Sequence, residues 1–140
     1  MSEKQTLAGR VRARLGEVDY AVDLHAGRHR LVADEPASHG GTDAGPGPFS
    51  LLLSGLAACT AITLRMYAQR KGWMLQSVDV DVRLLRQGTE AHIDRIISLH
   101  GELDAAQQAR LLEISEKTPV TLTLKGGVEI RTTLHQPGTV

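Results

Sequence analysis

The chain has 140 residues, 41% hydrophobic and 23% charged, which suits one soluble domain with a modest core. Sixteen basic residues balance sixteen acidic ones, so no global field draws nucleic acid or an anionic membrane, and one Trp, two Tyr and one Phe leave no stacking platform for single strands. A single cysteine excludes an internal disulfide, and Met1 to Leu7 lacks the apolar core of a signal peptide, so the expectation is a cytoplasmic protein with neither nucleic acid nor membrane as partner.

Val11 to Leu15 alternates apolar and charged side chains and predicts a half-buried strand. After a turn at Gly16-Glu17, Val18 to Leu24 predicts its partner, and Arg30 to Ala33 a third short strand beyond the Ala26-Gly27 break. Pro36 to Pro48 holds three prolines and four glycines and is a loop. A helix follows from about Pro48 to Arg70, ended by Gly72. Leu52, Gly55, Leu56, Cys59, Ile62, Thr63 and Met66 recur at helical spacing on one face. Ser54, Gly55, Ala57, Ala58 and Ala61 keep this helix slender, which predicts enclosure by other elements or by a second subunit. Its polar residues leave it short of the ~20 apolar residues of a membrane span, and a buried helix is the better reading.

Ser77 to Leu84 is the cleanest strand, with its valines on one face and Asp79 and Asp81 on a solvated one. Ile93 to Leu103 is its neighbour across a polar loop near Gly88. Asp104 caps a helix with Gln107 completing a capping box, Leu111, Leu112 and Ile114 form its apolar stripe, and Pro119 stops it near Thr118. Val128 to Leu134 alternates again as a closing strand. The whole is an α+β pattern in a single domain, residues 1–140.

The one residue that could carry chemistry is Cys59, inside the apolar helix. A thiol there is either an inert core atom or a protected nucleophile. It lies about three turns into the helix, beyond the reach of that helix's own dipole, so any activation has to come from a side chain elsewhere in the chain. The six histidines make no metal site: His25 and His29 bracket a glycine, and there is no HExxH. The glycines at 40, 41, 45 and 47 match no phosphate-binding pattern. No cofactor is implied.

Ala33-Asp34-Glu35-Pro36, Gly40-Gly41-Thr42-Asp43 and the segment from Pro48 to Cys59 resemble the OsmC/Ohr family of osmotically induced and organic hydroperoxide resistance proteins. The likeness continues through Thr63 to Ala68, Arg70 to Trp73, Gly101-Glu102-Leu103, Arg110 to Ile114 and Lys117-Thr118-Pro119-Val120. The resemblance implies antiparallel sheets enclosing a long central helix in an intertwined homodimer, with active sites at the subunit interface. It also implies that the helix cysteine, Cys59 here, attacks a hydroperoxide, that a second cysteine resolves the sulfenic acid, and that an external dithiol restores both. This chain departs from that pattern in two places. Thr118 stands where the second cysteine belongs, and Phe49 and Ser50 stand where family members carry a glutamate. The arginine that polarises the thiolate has Arg30 as its nearest candidate and Arg28 as another.

Two functions follow. One is a one-cysteine, thiol-dependent peroxidase acting on organic hydroperoxides, with an external thiol as reductant. The other is a non-catalytic dimeric module that binds an apolar ligand or partner in the former active-site cleft.

Overall fold

A computed structural model describes residues 3–135. The described residues pack as two compact units: those up to Ser54 with Arg86–Ala91, and Gly55–Leu85 with those from His92 on. One long helix and one long hairpin contribute to each.

In the first unit, β1 (Val11–Leu15), β2 (Val22–Ala26) and β3 (His29–Ala33) form an antiparallel meander in the order β1-β2-β3. Leu15 pairs with Val22, and Val22 in turn with Ala33. β2 starts later than the Val18 to Leu24 pattern predicts, because Tyr20 takes the left-handed conformation (φ 70°) that interrupts a strand. Val11 to Leu15 does form a strand, but it is exposed along its whole length rather than half-buried.

The loop that follows is organised by Asp34, which is only 2% exposed. Its Oδ1 accepts from Glu35 N (2.7 Å), and its Oδ2 accepts from Thr42 Oγ1 (2.7 Å), Thr42 N (3.2 Å) and Ala44 N (3.1 Å). The Thr42 hydroxyl leads these donors in holding the carboxyl at a pKa of about 2, with burial opposing. A side chain at Gly45 would put its Cβ 2.0 Å from Val32 O, so only glycine lets the loop lie against β3. This segment delivers the chain to α1.

Helix α1 spans Pro48–Lys71. Gly72 closes it in the left-handed conformation (φ 73°), donating to Gln69 O (3.1 Å) while Trp73 N donates to Ala68 O (2.9 Å), a Schellman ending. The residues buried within the chain are Leu56, Thr60, Leu64 and Ala68. This corrects the expected face: Leu52, Ile62 (54%) and Met66 (57%) are exposed. A helix that is small and apolar nearly all round has no single period to say which stripe its own chain covers. By length and composition α1 is also long enough and apolar enough to cross a membrane, contrary to the expectation that it falls short, although a soluble protein's core helix passes the same test.

In the second unit, α1 packs on the hairpin of β4 (Met74–Gln87) and β5 (Glu90–Glu102) and on α2 (Ala105–Ser115). The hairpin turns at Gly88-Thr89. Val78, Val80, Val82 and Leu84 line its half-buried face, while Asp79 and Asp81 are exposed as predicted, Asp79 accepting from His100 Nε2 at 2.8 Å. Leu64, Ala68, Leu75 and Leu111 form the buried centre, with Tyr67, Trp73, Ile97, Leu99 and Ile114 packed around them. Each fully buried leucine contributes on the order of 2 kcal/mol.

Asp104 caps α2 as predicted: Gln107 N donates to its Oδ1 (2.8 Å), and Asp104 N donates to Gln107 Oε1 (2.9 Å). Leu112, expected in the apolar stripe, is exposed, and Ser115 is buried instead. Pro119 ends this helical stretch and also opens another, α3 (Pro119–Gly126), because a first helical residue needs no N–H donor. The alternation over Val128 to Leu134 forms no strand: without a partner among the described residues its backbone groups have no ladder to join, and Val128, Ile130 and Leu134 are exposed.

Candidate active site

Cys59 lies partly buried on α1, with Thr63 Oγ1 one turn further along at 3.9 Å. The first turn of α3 faces it. Thr118, fully buried, is the N-cap of α3: its Oγ1 accepts from Thr121 N at 3.1 Å and lies 2.7 Å from Thr121 Oγ1. Pro119 has no N–H, so the first free amide of the helix is that of Val120, and it is one of the groups that favour the thiolate form of Cys59. A thiol at this position meets the positive end of α3, the setting in which thiolates are stabilised.

Behind the threonines sits Arg95, on the inner face of β5, with its side chain only 11% exposed. One Nη1 donates to both Thr60 Oγ1 and Thr121 Oγ1 (2.9 Å each), and Nη2 donates to Ser115 O (2.9 Å). Arg95 thus ties together the residue beside Cys59, the end of α2 and the start of α3. Glu116 Oε1 stands 3.7 Å from Nη2, while its Oε2 takes Lys125.

Burial is the largest single influence on Cys59 and pushes its pKa up. The Val120 amide, the Thr118 and Thr63 hydroxyls and the Arg95 charge together outweigh it, and the thiol ends below its ordinary value. The expectation that activation comes from a side chain alone is therefore corrected, since a backbone amide at a second helix's N-terminus shares the work.

Arg30 makes an ion pair with Asp23 on the neighbouring strand (2.5 Å), and Arg28 lies in the exposed turn between β2 and β3. Arg95 is the cation that acts on the thiol within this chain. The sequence carries a signal for it: Ile93, Arg95, Ile97 and Leu99 share the inward face of β5, and an arginine at an apolar position of a strand marks a buried ionic contact. Phe49 and Ser50 supply no carboxylate; the Phe49 ring instead lies 5.1 Å under the Arg86 guanidinium.

A shallow groove of about 490 Å³ runs along the exposed side of α1, lined by Ala61, Ile62, Met66, Ser77 and Val78 among others, with Cys59 not among its walls.

Residues 40–133 match the OsmC-like protein family, two thirds of the chain. The chain belongs to the OsmC-like family. Its mixed α+β architecture, with two antiparallel sheets and a long helix, matches solved structures of that family. The OsmC-like protein of Mycoplasma pneumoniae is 25% identical, with a TM-score of 0.74 and coverage of 90% of either chain. The organic hydroperoxide resistance protein OsmC of Legionella pneumophila is 21% identical, with a TM-score of 0.63 and coverage of 88% of this chain and 93% of that one. OhrB, the organic hydroperoxide resistance protein of Bacillus subtilis, is 21% identical, with a TM-score of 0.61 and coverage of 88% and 94%. No curated protein matches the sequence significantly. This OsmC-like protein thus shares its fold with proteins of hydroperoxide resistance.

Proposed function

We propose that this OsmC-like protein is a one-cysteine thiol peroxidase, working as a homodimer, that reduces organic hydroperoxides at Cys59. The reading is supported by the surroundings of the sulfur: the Thr63 hydroxyl lies 3.9 Å from it, and the Val120 amide, the Thr118 hydroxyl and the Arg95 charge favour its ionised form. An inert core cysteine needs none of them.

The Cys59 thiolate attacks the outer oxygen of the hydroperoxide, and the O–O bond breaks. The sulfur becomes a sulfenic acid, and the alkoxide takes a proton from water to leave as the alcohol. Thr118 has no sulfur to offer, so an external thiol condenses with the sulfenic acid, releasing water and forming a mixed disulfide. A second thiol then restores Cys59 and leaves as the oxidised external disulfide. The homodimer is supported by the exposed Leu52, Ile62 and Met66 on α1 and by the open strand β1, surfaces that a second copy can cover.

The absent carboxylate favours the second reading, a module that binds an apolar ligand, because the aromatic ring of Phe49 cannot orient a catalytic arginine. Hydroperoxide consumption in the presence of a small dithiol separates the two. The peroxidase reading expects turnover in the wild type and none in Cys59→Ser, a nearly isosteric change costing roughly 1–2 kcal/mol. Equal consumption by both proteins would leave the binding module.

A further inference from the structure

Two stretches of this chain have the pattern of paired strands and backbone groups left without a ladder. β1 stands at the end of its sheet, in the order β1-β2-β3, so one of its edges meets no strand among the described residues. Residues 128–134 alternate as a strand does and join no ladder among the described residues. Open edges and stranded apolar side chains of this kind are normally paired or blunted, yet β1 is exposed throughout and Ile130 is 86% exposed.

The two stretches match in pattern and in charge. Val11, Ala13 and Leu15 share a face of the sheet with Ala26, Leu24 and Val22, their direct partners on β2, while Arg12 and Arg14 lie on the other face. In the later stretch Val128, Ile130 and Leu134 alternate with Glu129 and Arg131. Laid along β1, it continues both faces, apolar beside apolar and charged beside charged; a slip of one residue would set Ile130 among the arginines. Glu129 also supplies an acid that this face lacks. Asp23, opposite Arg14, already pairs with Arg30, and Arg12 and Arg14 have no ion pair among the described residues. Glu129 itself is held only by Arg131, two residues on at 3.0 Å, an exposed pair that costs little to exchange.

We propose that residues 128–134 of one copy add as a strand to the open edge of β1 in a second copy, with Glu129 set against the arginines there, so that two copies exchange these segments reciprocally. A second copy is the occupant because segment and edge come in equal number from one sequence, and a two-fold exchange satisfies both at once. Gly127 alone separates the segment from α3, so the exchange also ties α3 to the neighbouring copy. It rests on the homodimer proposed above and assigns the backbone groups that hold it together.

Hydrogen-exchange mass spectrometry of the full-length protein reads such a ladder directly, at a concentration where sedimentation velocity finds the dimer. Amides of residues 128–134 should exchange on the order of a hundredfold more slowly than in the urea-unfolded chain. Neighbouring amides of a strand point to opposite edges, so one of Arg131→Pro and Thr132→Pro has to remove a ladder bond. Both positions lie outside every helix and strand, so the variants should fold. That variant should weaken the dimer at least about tenfold and speed exchange in both 128–134 and β1, and Glu129→Arg should weaken the dimer by less. A dimer whose 128–134 amides exchange at the unfolded rate, or that neither proline weakens, overturns the exchange and leaves the homodimer standing. Protection of 128–134 with β1 unchanged between wild type and both proline variants overturns the pairing with β1. A wild-type monomer removes the exchange and the homodimer together.

Discussion

Thr118→Cys restores the family's second thiol at a position whose structural duties are now known, and its consequences can be worked out in both redox states. In the reduced state α3 loses its N-cap hydroxyl, which accepts from Thr121 N at 3.1 Å. Loss of such a cap costs about 1 kcal/mol. Because the site is fully buried and the Thr121 hydroxyl loses the shortest of its contacts as well, the total should be about 2 kcal/mol. In the oxidised state a disulfide between Cys59 and the introduced thiol closes a loop of about 60 residues, and the loop-entropy relation assigns this about 4 kcal/mol. The oxidised variant should therefore be more stable than wild type by roughly 2 kcal/mol, and the reduced variant less stable by a similar amount. Urea unfolding with and without reductant measures both, and thiol counting after mild oxidation should find none free, against two in the reduced protein. Two thiols that stay free in a folded, oxidant-treated variant would refute the placement of the α3 N-cap opposite Cys59.

Acid should expose the role of Asp34. Its folded pKa of about 2 lies below the unfolded value of 3.8, so the fold favours the ionised form. The stability this contributes is complete above the unfolded pKa and is lost as pH falls through about 2. Asp34→Asn should be less stable than wild type at neutral pH, with the gap narrowing as the acid range is entered; a gap independent of pH would show that the carboxylate charge is not what holds the loop. Ile62→Glu places a charge on the exposed side of α1, and sedimentation velocity should find a dimer for wild type and monomer or aggregate for the variant. A wild-type monomer at micromolar concentration would remove the homodimer from the account.

The parts of the fold that could be read in the sequence are those whose signals are local. The alternation of Val78, Val80 and Val82, the Asp104–Gln107 capping box and the Gly72 helix ending each depend on neighbours within a few residues, and each stands in the structure where the pattern puts it. The failures have a different cause. Val128 to Leu134 has a strand's alternation, but a strand exists only with a partner. The buried stripe of α1 is set by what packs on it, not by a helix that is apolar on most sides. Pro119 both stops one helix and starts the next, and only the second role brings an amide to the thiol. In the candidate site Cys59 and Thr118 were visible from their motifs. Arg95 was not, because its contacts with Thr60, Ser115 and Thr121 join segments 20 to 35 residues away in the chain. The inward register of Arg95 among Ile93, Ile97 and Leu99 was its one local trace.

The central claim is that Cys59 is an activated nucleophile for hydroperoxides. Mass spectrometry of the protein after a brief exposure to an organic hydroperoxide, with a sulfenic-acid trapping reagent present, tests it most directly. The account predicts one trapped adduct, on Cys59, formed far faster than on the same thiol in the urea-unfolded chain, and slowed in Thr118→Val. An adduct that forms no faster in the folded protein than in the unfolded one would contradict it.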